Sequence, residues 1–195
     1  MLLITKTYPI PDETKDINKI SFDVDKPKGD FKSKFLPSKI RINSDFCRLV
    51  GYYLAEGYVR TDKCKGTVGF VFGSKEQGYV QDVIVLMQNA FGVAPAGLTS
   101  NQKKTSIDVK FYSARLARFF EKNFGKGAQN KHVPFWMIQL SLEKQAGLLC
   151  GLWRGDGYFD SNRQRAKYVT ISTQLAYQLI LLLLRQRIIG SFSEG

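Results

Sequence analysis

The sequence predicts an α+β fold made of two tandem copies of one unit, each with helices on one face of an antiparallel sheet. Three observations carry that prediction. Apolar periodicities follow the order helix–strand–strand–helix–strand–strand–helix, and then restart as helix–strand–strand–helix near residue 142. Two nine-residue stretches, 49–57 and 149–157, align glycine with glycine, small residue with small residue and acid–glycine with acid–glycine at an offset of 100 residues. Finally, 195 residues with 44% hydrophobic and 24% charged content suffice for a buried core and exclude wholesale disorder. At about 150 residues per domain, that length allows one domain or two small ones.

Residues 1–42 are polar, lysine-rich and punctuated by Pro9, Pro11, Pro27 and Pro37, so they read as an arm or linker with little regular structure. The first repeat spans 43–130. Asn43, Ser44 and Asp45 form an N-cap cluster before an apolar helix, Phe46 to about Glu56, which Gly57 can end in the left-handed conformation. A strand, the polar turn 61–66 and a second strand follow, with Val68, Phe70 and Phe72 on one face. Val80, Ile84, Met87 and Phe91 mark a helix over about 75–91. The loop 101–104 separates two more strands; in the later one, Ile107, Val109 and Phe111 alternate with Ser106, Asp108 and Lys110. A helix from about Ser113 to Lys122 completes the unit. The second repeat, 131–195, has a helix from Leu142 to about Asp156, the pair Tyr158–Phe159, a basic turn, a strand from Tyr168 to Thr173 and a helix from Gln174 to about Arg187. Measured against the first, this second repeat reads as incomplete.

Composition narrows the function. The 29 basic and 17 acidic residues give a net charge of +12, which implies an anionic partner: nucleic acid ahead of an acidic membrane surface. Cys47, Cys64 and Cys150 are odd in number and far apart, and His132 is the one histidine. Together they exclude a zinc finger and a disulfide framework, argue against a histidine-based triad, and fit an intracellular, cytoplasmic compartment. His132 reads as a linker residue. The N-terminal apolar run is too short for a secretory signal. The longest apolar run, 179–184, falls far short of the roughly 20 residues that span a bilayer.

The two repeat helices carry the chemistry. Gly51 and Ala55 are four residues apart and share a helix face, as do Gly151 and Gly155. Glycine inside a helix costs about 0.5–1 kcal/mol relative to alanine, and close approach of two helix backbones is the compensating gain. If the two stripes face each other, Glu56 and Asp156 meet at one end. Like charges repel, and both sit at helix C-termini, where the helix dipole disfavours an anion. A bound divalent cation resolves both problems, and oxygen ligands suit Mg²⁺ or Mn²⁺. Beside a basic surface, that arrangement suits metal-assisted phosphodiester hydrolysis. Either acid–glycine pair alone would be an ordinary solvated helix end; their repetition in one context favours the site. Tyr52, Tyr53 and Trp153 read as core packing.

These paired segments, Leu49 to Gly57 and Leu149 to Gly157, resemble the double signature of the LAGLIDADG homing endonucleases, in the single-chain form that includes intein- and intron-encoded members. The resemblance covers roughly residues 40–195. It implies signature helices packed at a pseudo-two-fold interface and two sheets forming a saddle over duplex DNA. It also implies a site-specific double-strand break made with Mg²⁺ at the last acid of each motif. Carried over by position, Glu56 and Asp156 are the candidate catalytic acids. Ala55 and Gly155 join them in the candidate metal-binding set, and Gly51, Ala55, Gly151 and Gly155 form the helix interface. The family's basic residue near the metal points to Lys110. The resemblance also implies a monomer when both repeats are complete. The sequence carries no splicing nucleophile at Met1 and no terminal His–Asn pair, so it is not expected to self-splice.

The residues agree about DNA. The polar sheet face and its turns offer Arg60, Lys63, Lys65, Lys103, Lys104 and Lys110 in the first repeat, and Arg163, Arg165 and Lys167 in the second. A two-stranded ribbon fits the major groove, where Arg and Lys read base edges. The alternative reading is a non-cleaving nucleic-acid-binding protein of the same fold, either a maturase with intron RNA as its partner or a DNA-binding regulator.

Overall fold

The protein is described by a computed structural model covering residues 17–24, 36–100, 103, 105–191 and 193. Two short strands precede the first long helix. β1 (Lys19–Ser21) and β2 (Lys39–Arg41) pair antiparallel, with Ile20 opposite Ile40. This corrects the expectation of an unstructured arm for part of 1–42; the rest of that segment lies outside the described residues. The cause is apolar anchoring that the prolines and lysines mask in the sequence. Phe22, Ile40 and Ile42 are buried, and Phe22 stacks on Phe119 at 4.9 Å. Both repeats hold the hairpin: Arg115 Nε donates to the Val24 carbonyl (3.1 Å), and Lys144 Nζ donates to Asn18 Oδ1 (2.9 Å).

Helix α1 (Ser44–Glu56) starts where Asn43 Oδ1 accepts from the Phe46 amide at 2.9 Å, as the cap cluster predicts. It is followed by β3 (Gly57–Thr61), β4 (Gly66–Gly73), α2 (Gln77–Phe91), β5 (Gly97–Ser100), β6 (Ser106–Tyr112) and α3 (Ala114–Phe124). The four strands form one antiparallel sheet in the order β3–β4–β6–β5. Val68, Phe70, Phe72, Val109 and Phe111 face the helices and are buried. There they meet an aromatic cluster: Tyr53 lies 4.8 Å from Phe120, and Phe119, Phe120 and Phe124 pack on one another. Edge and tilted aromatic pairs of this kind add about 0.5–1.5 kcal/mol each beyond area burial. The polar partners of the alternation, including Tyr58, Arg60, Asp108 and Lys110, are left on the open face.

A short helix, α4 (Phe135–Ile138), leads to α5 (Leu142–Asp156), β7 (Gly157–Asp160), β8 (Arg165–Tyr168) and α6 (Thr173–Arg185). β7 and β8 pair antiparallel, with Gly157 opposite Tyr168. The strand expected over Tyr168–Thr173 therefore ends where it was placed to begin. The reason is Ser172, whose Oγ accepts from the Leu175 amide (3.1 Å) and donates to the Lys131 carbonyl (2.7 Å), making it the cap of α6. Among the described residues, no helix is long and apolar enough to cross a membrane.

Helices α1 and α5 touch backbone to backbone. A methyl group at Gly51 would overlap the Leu148 carbonyl and lie 2.7 Å from the Leu152 nitrogen; one at Gly151 would overlap the Arg48 carbonyl and lie 2.8 Å from the Tyr52 nitrogen. The two sets of neighbours are related by the same 100-residue offset as the glycines, so the contact is a local two-fold. Gly57 and Gly157 do not take the expected left-handed conformation: φ is −82° and −78°. Each is glycine because a side chain would strike the residue one turn earlier, Tyr53 or Trp153. Tyr52 and Tyr53 are fully buried, but Trp153 is 40% exposed, its ring lying along Gly157 at the helix end instead of in the core.

In an open helix, Gly→Ala stabilises by about 0.5–1 kcal/mol. Here Gly51→Ala and Gly151→Ala should each destabilise by about 1–3 kcal/mol, because the added carbon meets backbone that cannot yield without moving a whole helix. Guanidinium chloride unfolding measures this, and a neutral or stabilising substitution would contradict the packing.

Candidate active site and nucleic-acid interface

Packing at Gly51 and Gly151 fixes what happens one turn further on. Gly155 abuts Ala55, and a methyl group on it would lie 3.0 Å from Glu56 Cγ. Glu56 and Asp156, the last residues of α1 and α5, are thereby brought to one end of the helix pair. Both carboxyls hold protons more tightly than usual. Burial pushes Glu56 up to about 7, with Asp156 and Glu76 adding repulsion and Lys131 opposing. Burial also raises Asp156, against Lys131 and a Tyr168 hydroxyl 3.4 Å from its Oδ2.

The cation coupled to both acids is Lys131, a residue that the sequence pattern does not mark. The residue is 7% exposed; Nζ donates to the Ala55 carbonyl at 2.9 Å and lies 5.7 Å from the centre of the Tyr53 ring. Burial lowers its pKa to about 8, while Asp156 and Glu56 pull it back up. Beside it opens a cleft of about 270 Å³, lined by Ala55, Lys131, Asp156, Val169 and Ile171 among others. Lys110, expected to reach the acids, is instead captured on the open sheet face, with Nζ 3.2 Å from Asp108 Oδ2 and 3.3 Å from Thr99 Oγ1. The carbonyl of Ala55, a residue that the family resemblance put in the metal set, is already engaged by Lys131.

A second polar cluster braces the same helices. Asp82 on α2 accepts from Arg48 Nε, Arg154 Nη1 and the Tyr52 hydroxyl, each at 3.0 Å. One carboxylate thus ties α2 to both α1 and α5, two residues before Asp156. Charge-assisted bonds of this type are worth about 1.5–3 kcal/mol each when partly buried.

The candidate DNA contacts lie on strands and turns of both repeats. Arg60 is exposed on β3, and Lys63 and Lys65 are exposed in the β3–β4 turn; Lys103 is exposed, and Lys104 lies outside the described residues. In the second repeat Arg163, Arg165 and Lys167 are exposed, with Lys167 Nζ 3.5 Å from Asp160. His132 lies between α3 and α4, with Nδ1 3.0 Å from the Asn130 carbonyl.

Between the ordinary carboxyl value and about 7, the folded state binds more protons than the unfolded one, so the contribution of Glu56 to stability falls as pH rises. In metal-free buffer, Glu56→Gln should gain stability over wild type from pH 4.5 to pH 7. Thermal melts across that window check it, and a difference that stays constant with pH would refute the coupling.

Residues 45–125 and 143–195 match the LAGLIDADG-like domain. The uncharacterized protein MJ0043 of Methanocaldococcus jannaschii is 35% identical over 193 residues, covering 96% of this chain and 23% of that protein. The ATP-dependent DNA helicase Hel308 of Thermococcus kodakarensis is 32% identical over 154 residues, covering 76% and 13%. The chain thus spans less than a quarter of the length of these relatives. Among solved structures, I-DmoI in complex with its target DNA, nicked in the coding strand and in the presence of 2 mM Mn, superposes with a TM-score of 0.55 at 13% identity, covering 76% of this chain and 79% of that one. At that identity the likeness is one of fold. With both signature stretches, 49–57 and 149–157, inside the matched segments and the antiparallel sheet and helices arranged as in the homing endonucleases, the chain belongs to the LAGLIDADG-like domain family.

Proposed function

We propose that the chain is a site-specific double-stranded DNA endonuclease that hydrolyses phosphodiester bonds with divalent metal held between Glu56 and Asp156. The observation that carries this reading is the meeting of two carboxylates, one from each repeat, the half-buried Glu56 and the more exposed Asp156, at the end of a glycine-packed helix pair beside a buried lysine. A folded protein gains nothing in stability from such a pair, and one carboxyl per repeat matches one cut per DNA strand.

The donors fit Mg²⁺ or Mn²⁺. They are hard oxygens, and among the described residues no cluster of three or more carboxylate, imidazole or thiol groups closes around a point. An ion that keeps several waters and takes one or two carboxylates plus phosphate oxygens suits two carboxylates at a phosphodiester. When bound, the metal would supply activation of water and stabilisation of the leaving oxygen. The chain's own residues do the rest. Glu56 and Asp156 hold their anionic oxygens in place because neither helix can move without breaking the glycine contact. Lys131 balances the two carboxylates from inside and keeps a positive charge beside the cleft where a phosphate would lie. The exposed basic turns after each signature helix grip phosphates on either side. The I-DmoI complex holds target DNA and was prepared with Mn, which supports duplex DNA and a divalent ion as partners here. That similar segments make up 23% and 13% of longer proteins supports a homing element encoded within a host gene.

The test is capture of cut ends from a library of random duplexes, with Mg²⁺ or Mn²⁺ against a chelator. Wild type should cut selected sequences on both strands only with metal. Glu56→Gln and Asp156→Asn should each lose at least about 10²-fold in cleavage rate while still binding the selected duplex. Lys131→Met should lose about 10²–10³-fold. Cutting by Glu56→Gln and Asp156→Asn at the wild-type rate would overturn the assignment. Tight binding without cleavage in either metal would make the chain a binding protein of the same fold, and a preference for structured intron RNA would make it a maturase. Duplex affinity should fall by about 0.9 log units per log unit of salt for each phosphate neutralised; a flat response would exclude nucleic acid as the partner.

A further inference from the structure

The open face of the four-stranded sheet carries a polar row whose members are fixed against one another. Tyr58 on β3 stands opposite Gly69 on β4. Its ring covers that glycine: a methyl group there would come within 2.5 Å of the phenol oxygen. Laid across β4, the phenol reaches β6, where its oxygen stands 3.1 Å from each carboxylate oxygen of Asp108. From the other side, Lys110 Nζ stands 3.2 Å from Asp108 Oδ2 and 3.3 Å from Thr99 Oγ1. Arg60 closes the row, its guanidinium 5.3 Å from the centre of the Tyr58 ring. Asp108 and Lys110 each keep about a quarter of the side chain exposed, 25% and 26%.

A carboxylate here needs a reason. The face carries Arg60 and the neighbouring turns carry Lys63, Lys65 and Lys103, and an anion among them weakens any grip on phosphate. The Asp108–Lys110 pair has no net charge, so it adds little to sequence-independent affinity, which comes from neutralised phosphates. It does add one acceptor and one donor, side by side, rigidly held and facing outward. Base edges require that pattern and phosphates do not. In the major groove, guanine presents N7 and O6 as acceptors and cytosine presents its N4 amino group as a donor. O6 and N4 are hydrogen-bonded to each other in the pair, so they lie about 2.9 Å apart. The 3.2 Å between Nζ and Oδ2 matches that spacing. Lys110 has a third donor beyond those aimed at Asp108 and Thr99, and a carboxylate has about four lone-pair sites, more than Tyr58 and Lys110 use.

We infer that Asp108 and Lys110 form a base-reading unit for a G·C pair in the half of the target under the first repeat, with lysine on guanine and aspartate on cytosine. Tyr58, seated on Gly69, is the positioning residue that holds the carboxylate. The inference rests on the duplex-DNA reading given above and does not require cleavage.

The experiment is selection of bound duplexes from a random library by the full chain, comparing wild type with Asp108→Asn and Tyr58→Phe. Wild type should select one G·C position where replacement by A·T lowers affinity about 5- to 150-fold, the discrimination expected of good donor–acceptor pairing at one base pair. Asp108→Asn should lose that preference or move it to A·T, leaving the other positions unchanged. Tyr58→Phe should blur the same position by a smaller factor. A purely structural role would lower affinity at every position alike, which these variants must not do. Uniformly tighter binding by Asp108→Asn would mark the carboxylate as a mere repulsive charge and overturn the inference. Should wild type select sequences while neither variant changes any position, this assignment alone falls. Failure of wild type to bind any duplex would bring down the DNA reading as well.

Discussion

Everything at the candidate site depends on one contact: two helix backbones meeting with no side chain between them. Gly51 and Gly151 each face a carbonyl and an amide of the opposite helix. Because the neighbours are backbone atoms, the spacing cannot be tuned by rotamer changes, and a single carbon on either glycine must move a helix. That rigidity is transmitted along α1 and α5 to their last residues. Glu56 and Asp156 are therefore placed by backbone geometry and not by long flexible side chains. Asp82 reinforces the same alignment from the side by joining Arg48 and Arg154. The sheets inherit their position too, since β3 and β7 begin at Gly57 and Gly157, immediately after the acids.

The arrangement works against stability at one point and recovers it around that point. Two carboxylates at helix C-termini and near each other, Glu56 half-buried, are unfavourable in their charged forms. Burial is the larger cause of the raised Glu56 pKa, with the neighbouring acids second. Lys131 offsets part of that cost, but it is itself buried and holds its proton less tightly for it. A site of this kind is charged, short of counter-charge and open to a cleft, which is the condition under which cation binding and phosphate binding are both favourable. The aromatic core of the first repeat and the hairpin of residues 17–24 and 36–42, which is clamped by both repeats, supply the stability that such a site spends.

Local pattern made much of this legible. The bounds of α5, Leu142–Asp156, could be read directly, since its first apolar residue and its closing acid–glycine pair both leave a mark. The 100-residue offset located the interface glycines and the two acids. Other features depend on tertiary packing that no local window contains. Lys131 is one lysine among many, and what singles it out is the docking of the segment before α5 under α6, where Ser172 bonds to its carbonyl. Gly57 shows that a glycine after a helix can serve close approach as well as a positive φ, and sequence does not tell the two apart. Phe22 and Ile40 were hidden among prolines and lysines until their burial partners were in view. Lys110 was assigned by the face of its strand, which was correct, but the face is shared with Asp108, which holds it.

On the proposed reading, the two repeats contribute one acid each to a joint divalent-ion site. Mn²⁺ binding to the full chain, followed by electron paramagnetic resonance with wild type, Glu56→Gln, Asp156→Asn and the double variant, tests it most directly. A shared site predicts that each single substitution weakens binding strongly and that the second adds little to the first, since partners in one network are non-additive. Mn²⁺ affinity unchanged in both single variants, or losses that simply add, would contradict it.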